Sequence, residues 1–396
     1  MTTGTSSCPF VFRGSSLVTR GTSDWMASRL EVSDVRSWRR LAIDLPPGGI
    51  LLSGPNGAGK TSLVEALVFA CLGVSCRTSR EAEAIRVGAS AMHVSLQLSG
   101  PDGTRRRDIG YAPRTGRRLA LDGEPVRSLA TWRAAGSVLV FVPEELRAIK
   151  GPPAARRRHL DRLLEAAVPG YADDLAAYGG ALAQRNAALR HVRAGRSAMS
   201  GVLPWEAPIA EIGARIVLAR RAAIGALKEP FGRWMSNLGG GPEGIIALEA
   251  SPTGLADVAD HEVHVALAER MQQTRSREVA AAQTLTGPHR DDVFVGQQRG
   301  SVTTDLRRVG SQGEQRTAVL ALLMAHREHL GARAGLPILV LDDVLSELDP
   351  TRRGLLLDAV VGEGQCILTT ADPVAAQAAM ERGVRVIGVR EGLCAA

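Results

Sequence analysis

The sequence predicts an α/β fold built round a phosphate-binding loop and divided by a long helical insertion. Three observations predict it. Gly54-Pro55-Asn56-Gly57-Ala58-Gly59-Lys60-Thr61 matches G-x-x-x-x-G-K-[ST], with an apolar strand before it and a helix after it. Ile338-Leu339-Val340-Leu341-Asp342-Asp343 is a second apolar strand, and it ends in two carboxylates. Between these half-sites short strands give way to long amphipathic stretches of Ala, Leu and Arg, and α/β alternation then returns.

Along the chain, Met1 to Asp24 is rich in Ser, Thr and Gly and lacks the apolar core of a secretion signal. Residues 1–27 are expected to form a disordered extension. Strands follow at Arg29-Leu30-Glu31-Val32 and Gly49-Ile50-Leu51-Leu52, then a helix from Ser62 through Phe69. His93-Val94-Ser95-Leu96 and Ser137 to Phe141 are further strands, so residues 28–151 read as the first part of a head domain. Ala154 to Val168, Tyr171 to Ala194, Trp205 to Leu238 and Asp260 to Ala282 have helical patterns separated by Pro and Gly. They place a helical insertion at 152–283. The second part of the head, 284–396, holds a helix from Gln312 to Arg333 and strands at Pro337–Leu341, Cys366–Thr369 and Val384–Val389.

Composition sets bounds on function. At 396 residues, 45% hydrophobic and 22% charged, the chain has the make-up of a globular protein of two or three domains. No run of eighteen apolar residues exists, so no membrane span is expected. Five cysteines with no paired metal-ligand spacing suggest reduced thiols and a cytoplasmic setting. Net charge +7 suggests a polyanionic partner, with Arg105, Arg106, Arg107, Arg117 and Arg118 as candidate DNA contacts. Solvated helix faces account for many arginines in so Arg-rich a chain, so charge alone does not decide the matter.

The glycine loop carries the clearest chemistry. Its backbone N–H groups can curl round a β-phosphate at a helix N-terminus, which favours negative charge. Gly54, Pro55, Asn56, Gly57, Ala58, Gly59, Lys60, Thr61 and Ser62 are therefore the expected ATP-binding residues. Lys60 would reach the β- and γ-phosphates, and Thr61 would ligate Mg²⁺. A glycine-rich turn without nucleotide is the bland alternative. Composition argues against it, because Lys60, Lys150 and Lys228 are the only lysines among 48 basic residues.

Asp342, at the end of the second strand, is expected to hold Mg²⁺ with Thr61. Asp343 is the candidate general base, so Asp343 and Lys60 are the expected catalytic pair. Ser311-Gln312-Gly313-Glu314-Gln315-Arg316, thirty-one residues before Asp342, resembles the signature motif of the ABC ATPase superfamily. By that resemblance it contacts nucleotide in trans. The same residues also read as a helix cap, with Ser311 and Glu314 forming a capping box. Ser346 and Asp349 match the superfamily's D-loop, and Thr369 or Thr370 stands where its switch residue is expected. No Q-loop glutamine is visible. His289-Arg290-Asp291 lacks the rest of a kinase catalytic loop, and His261-Glu262-Val263-His264 is one residue short of zinc-protease spacing.

Several further blocks together resemble the RecF family of bacterial recombination mediators. They include Cys76-Arg77-Thr78-Ser79-Arg80, Val142-Pro143-Glu144-Glu145-Leu146 and Lys150-Gly151-Pro152-Pro153 with Arg156-Arg157-Arg158-His159-Leu160-Asp161. Gly287-Pro288-His289-Arg290-Asp291-Asp292 and Leu341 to Asp349 complete the set. The resemblance, which runs from about Ser28 onward, implies an ABC-type P-loop ATPase head interrupted by a helical arm domain. It implies an ATP-dependent homodimer with weak DNA-dependent ATPase activity, bound to duplex or gapped DNA. Partnership with RecR and RecO, and through them with RecA, is implied too. Family members begin near the first strand, so Met26 is an expected start. A transporter ATPase subunit would bring its signature within about a hundred residues of the loop lysine. Lys60 and Ser311 stand 251 residues apart. An SMC-type structural clamp would need long heptad runs, which are missing.

Overall fold

The computed structural model describes residues 24–78, 80–134, 136–239, 241–390 and 393–395. A six-stranded, mainly parallel sheet has the order Leu393–Ala395, Arg385–Arg390, Gly49–Ser53, Cys366–Thr370, Ile338–Leu341, Val138–Phe141. Ile338–Leu341 is buried at every position, as a parallel strand covered on both faces must be. The two-residue period of these strands divides the protein into two cores. Ile50, Leu52, Ile338, Val340 and Ile367 face one of them, and Leu51, Leu339, Leu341 and Leu368 face the other.

The first core lies between this sheet and a six-stranded antiparallel sheet that contains Trp38–Asp44, Met26–Val35, Met92–Gly100, Gly103–Ala112 and Gly116–Leu121. The helix Lys60–Leu72 runs through it and is buried along nearly its whole length. A helix apolar all round has no solvent face to offer, which is why Val64, Leu67, Val68 and Phe69 sit between layers.

The second core joins the parallel sheet to helices Pro153–Ala167, Tyr171–Arg193, Glu206–Gly239, Val263–Ala281 and Gln312–Ala334. These helices lie within a residue or a few of the expected ranges. The expected arm at 152–283 is corrected in one respect. It contains a strand, Glu243–Glu249, which pairs antiparallel with Asp292–Arg299 from the other side of the expected boundary. Helix Glu206–Gly239 also packs along Gln312–Ala334, so the inserted segment shares its core with the head.

Two sequence blocks far apart in the chain meet here. Arg156 grips Asp292 through two bonds of 2.6 and 2.5 Å, and Arg220 pairs with Asp161 at 2.9 Å and with Asp291 at 2.8 Å. Arg220 is 2% exposed and Asp291 fully buried, so losing either partner would strand a charge inside the protein.

The expectation for residues 1–23 lies outside the described residues, but at 24–27 it is corrected. Trp25 is buried, its backbone N–H donates to Leu336 O and its indole N–H to Ala334 O, each at 2.9 Å. The first strand begins at Met26, and Ala27 is fully buried with its N–H on Gln365 Oε1 at 2.7 Å. Among the described residues no helix is long and apolar enough to cross a membrane.

Candidate nucleotide-binding site

The strand Gly49–Ser53 lies between Cys366–Thr370 and Arg385–Arg390, and its carboxyl end delivers the glycine loop to the sheet's edge. Two glycines are demanded by geometry. A Cβ at Gly54 would stand 2.0 Å from Val389 O, and Gly59 adopts φ 100° with Trp38 against it. Trp38 Nε1 donates to Gly59 O at 3.1 Å, so an indole from the antiparallel sheet forms the floor of the loop. Helix Lys60–Leu72 starts at once, leaving first-turn amides without intrahelical acceptors and turned toward the loop. Asn56 and Pro55 are exposed, whereas Ala58 and Ser62 are buried beneath them.

Lys60 is 7% exposed and folds back, its Nζ donating to Gly54 O at 2.8 Å and Pro55 O at 2.9 Å. Burial lowers its pKa, which the charges of Asp343 and Asp342 partly offset. Thr61 Oγ1 donates to Asp342 Oδ1 at 3.2 Å. The hydroxyl and the carboxylate expected to share a cation are thus side by side. One hydroxyl and one carboxylate suit Mg²⁺, which is commonly held by few protein groups and completed by water and phosphate. Among the described residues no group of three or more His, Cys, Asp or Glu could hold a metal.

Thr369 and Thr370 do different work. Thr369 Oγ1 donates to Asp342 Oδ1 at 2.6 Å and accepts the Asp343 backbone N–H at 2.9 Å. Thr370 Oγ1 is fully buried and accepts from Asp372 N at 3.1 Å, away from the carboxylates. Asp342 is 4% exposed, and desolvation raises its pKa. Hydrogen bonds from Thr369 and Thr61 oppose that rise, while the charge of Asp343 adds to it. Asp343 has φ 52°, a strained conformation for a side-chain-bearing residue, and its carboxylate accepts from Ser346 Oγ at 2.6 Å.

The signature segment lies at the start of Gln312–Ala334. Ser311 Oγ accepts from Glu314 N at 3.2 Å and Glu314 Oε2 accepts from Ser311 N at 2.8 Å, a complete capping box. Ser311 and Gln312 are exposed, Gly313 is half-buried, and Gln315 is buried with its amide donating to Leu306 O at 2.7 Å. Arg316 clasps Glu347, donating to its backbone oxygen at 3.0 Å and pairing with its carboxylate at 3.1 Å. Asp349 caps the helix Pro350–Val360 by accepting from Arg352 N at 3.0 Å. Among the described residues no recorded hydrogen bond joins 311–316 to 54–62 within the chain. At the end of Val138–Phe141, beside the Asp342 strand, residues 142–146 include no glutamine.

The arginine candidates divide. Arg107 is corrected: it is fully buried, donates to Ala70 O, Cys71 O and Trp132 O, and lies 4.0 Å over the Trp132 ring. Arg117 pairs with Glu81 and is half-buried. Arg106 pairs with Asp108 at 3.0 Å and Arg105 with Asp122 at 3.7 Å, both on the surface, and Arg118 is exposed. The sequence reading missed Trp38 and a second support, Glu65. Glu65 is 1% exposed and takes both Arg36 Nε and Nη2 at 2.8 Å, with Ser75 Oγ on the same carboxylate. A lone acid in an otherwise apolar helix was the available signal.

Residues 29–117 match the family described as AAA domain. The DNA replication and repair protein RecF of Symbiobacterium thermophilum is 35% identical over 348 residues, covering 87% of this chain and 91% of that protein. RecF of an Anaeromyxobacter species is 36% identical over 353 residues, covering 87% and 91%. A solved structure of the recombination mediator protein RecF-ATPrS in the RecFOR pathway superposes with TM-score 0.82 at 22% identity, covering 94% of this chain and 98% of that one. The Smc head domain of Pyrococcus furiosus gives TM-score 0.58 at 16% identity over 94% and 95%. These two likenesses establish the fold, an ABC-type head. At 35% and 36% identity across 87% of its length, this chain belongs to the RecF family of DNA replication and repair proteins.

Proposed function

We propose that this chain is an ATP-dependent DNA-binding protein of recombinational repair and replication restart. It closes as a homodimer round ATP on duplex DNA near single-strand gaps and helps RecA load together with RecO and RecR. Hydrolysis is slow and serves as a switch. The observation that carries this reading is the division of the site. Lys60, Thr61, Asp342, Asp343 and Thr369 stand together at the sheet edge, while the capped Ser311 end faces solvent in the same chain. A site so divided is completed by a second copy. A solved RecF-ATP structure in the RecFOR pathway supports the nucleotide and the choice of partners.

In this reading Lys60 turns from the carbonyls of Gly54 and Pro55 to the β- and γ-phosphates. Thr61 and Asp342 hold Mg²⁺, which would neutralise phosphate charge. Asp343, fixed by Ser346 and by its own N–H on Thr369, orients a water and takes its proton. The net charge of +7 supports a polyanionic partner, with Arg105, Arg106 and Arg118 the surface candidates that remain. The test is Asp343→Asn. It should bind ATP normally, hydrolyse it at least tenfold more slowly, and accumulate as a dimer on gapped duplex. Wild-type turnover in that variant would remove Asp343 from the mechanism.

A further inference from the structure

One arginine lies against the signature segment from a neighbouring helix start. Arg352 Nη1 would be 2.7 Å from a Cβ at Gly313, so its guanidinium lies flush on that glycine. Its side chain is 29% exposed and pairs with Asp349 at 3.0 Å, and among the described residues its buried Nε finds no acceptor. Arg352 is also the third residue of helix Pro350–Val360, a position where helices prefer an acid. Its guanidinium is pressed on a second helix start, that of Gln312–Ala334. Two positive helix ends and a guanidinium repel one another; the carboxylate of Asp349 offsets part of that at one end, and that of Glu314, shared with Arg299 and Gln297, offsets part of it at the other. A polyanion seated on Ser311 and Gly313 would complete the arrangement.

We propose that Arg352 is a phosphate-contacting residue, presented beside Gly313 to the nucleotide held by the glycine loop of a second copy of this chain. The proposal rests on the closed-dimer reading above. Asp349 holds the guanidinium in place until phosphate oxygens compete for it. Gly313 has no side chain because one would push Arg352 off the signature face. The fork of an arginine suits paired phosphate oxygens better than a lysine does.

The experiment measures ATP-dependent dimerisation and ATP binding for wild type, Arg352→Ala, Arg352→Gln and Arg352→Lys. Arg352→Ala and Arg352→Gln should bind ATP within about twofold of wild type, since their glycine loops are intact. Their dimers should weaken about tenfold or more, the worth of a charge-assisted hydrogen bond, and Arg352→Lys should recover part of the loss. Arg352→Ala mixed with Lys60→Ala should restore dimers, because one intact loop then faces one intact signature. Lys60→Ala mixed with Ser311→Arg is the control. If the control restores dimers and the Arg352→Ala mixture does not, Arg352 acts within its own chain and the proposal fails. Dimers of Arg352→Ala as tight as wild type would also overturn it, as would loss of ATP binding by the folded variant. If wild type itself does not dimerise with ATP, the closed-dimer reading fails first.

Discussion

Thr369→Val probes the centre of the site with almost no change of shape. The substitution removes a 2.6 Å bond to Asp342 Oδ1 and the 2.9 Å acceptor of the Asp343 N–H. Both losses occur in a buried place, Thr369 being 1% exposed. A bond to a charged group is worth about 1.5–3 kcal/mol and an orphaned buried N–H costs about 1–3, so stability should fall by roughly 3 kcal/mol. Urea unfolding reads that directly. Asp342 would also lose the strongest influence holding its pKa down, so it should titrate higher still. Holding Mg²⁺ requires the ionised form. The acid limb of ATP hydrolysis should therefore move to higher pH in Thr369→Val and stay in place in Thr369→Ser. Release of the strained Asp343 backbone would let its carboxylate drift, and a displacement of about 1 Å costs on the order of a hundredfold in rate. ATP affinity, which depends on Lys60 and the loop amides, should change little. A Val variant with wild-type rate and an unmoved acid limb would refute the idea that Thr369 organises the two carboxylates.

Trp25→Ala should cost about 3–5 kcal/mol in denaturant unfolding, because it empties a buried site and removes the bond to Ala334 O; an unchanged midpoint would show the contact to be idle. The His289 ring has Nδ1 at 2.8 Å from Tyr178 Oη and Nε2 at 3.1 Å from Thr284 O. Burial, seconded by Arg290, Arg157 and Arg220, lowers its pKa to about 4. A folded-state pKa below the ordinary 6.5 means that the unfolded chain binds more protons, so stability is full above that value and falls as pH drops toward 4, by about 3 kcal/mol. His289→Gln should reduce that acid slope in pH-dependent unfolding, leaving the part due to buried His326, whose pKa burial lowers well below the ordinary value.

Features that depend on neighbours in sequence were legible. The strand, glycine loop and helix round Lys60 follow from glycine placement and apolar period, and the Ser311–Glu314 box was readable from spacing alone. Features that depend on distant partners were not. Glu243–Glu249 is a short strand whose partner comes from 292–299, so the surrounding helical periodicity hid it. Arg107 looked like one of a run of surface cations. Its place two residues before buried Ile109 in a strand was the overlooked signal, since a period of two puts both on the inner face. Thr369 could be separated from Thr370 only by seeing which of two adjacent residues points at Asp342. Trp38 could be matched to Gly59 only through the pairing of two sheets.

The strand order has a consequence for how the protein comes into being. Gly49–Ser53 takes both its neighbours from residues 366–390, and Ala27 waits for Gln365. At roughly 5–20 residues per second of synthesis, the strand that carries the glycine loop emerges from the ribosome well before anything can pair with it. The antiparallel sheet can fold early, since its strands all lie within residues 26–126. Parallel pairing over such distances is slow because a long loop must close before any contact forms. The nascent chain therefore carries an apolar helix, Lys60–Leu72, uncovered on its parallel-sheet side, and an unfinished glycine loop for most of its synthesis. Nucleotide competence is the last property the chain acquires, and any shielding by chaperones falls in that interval.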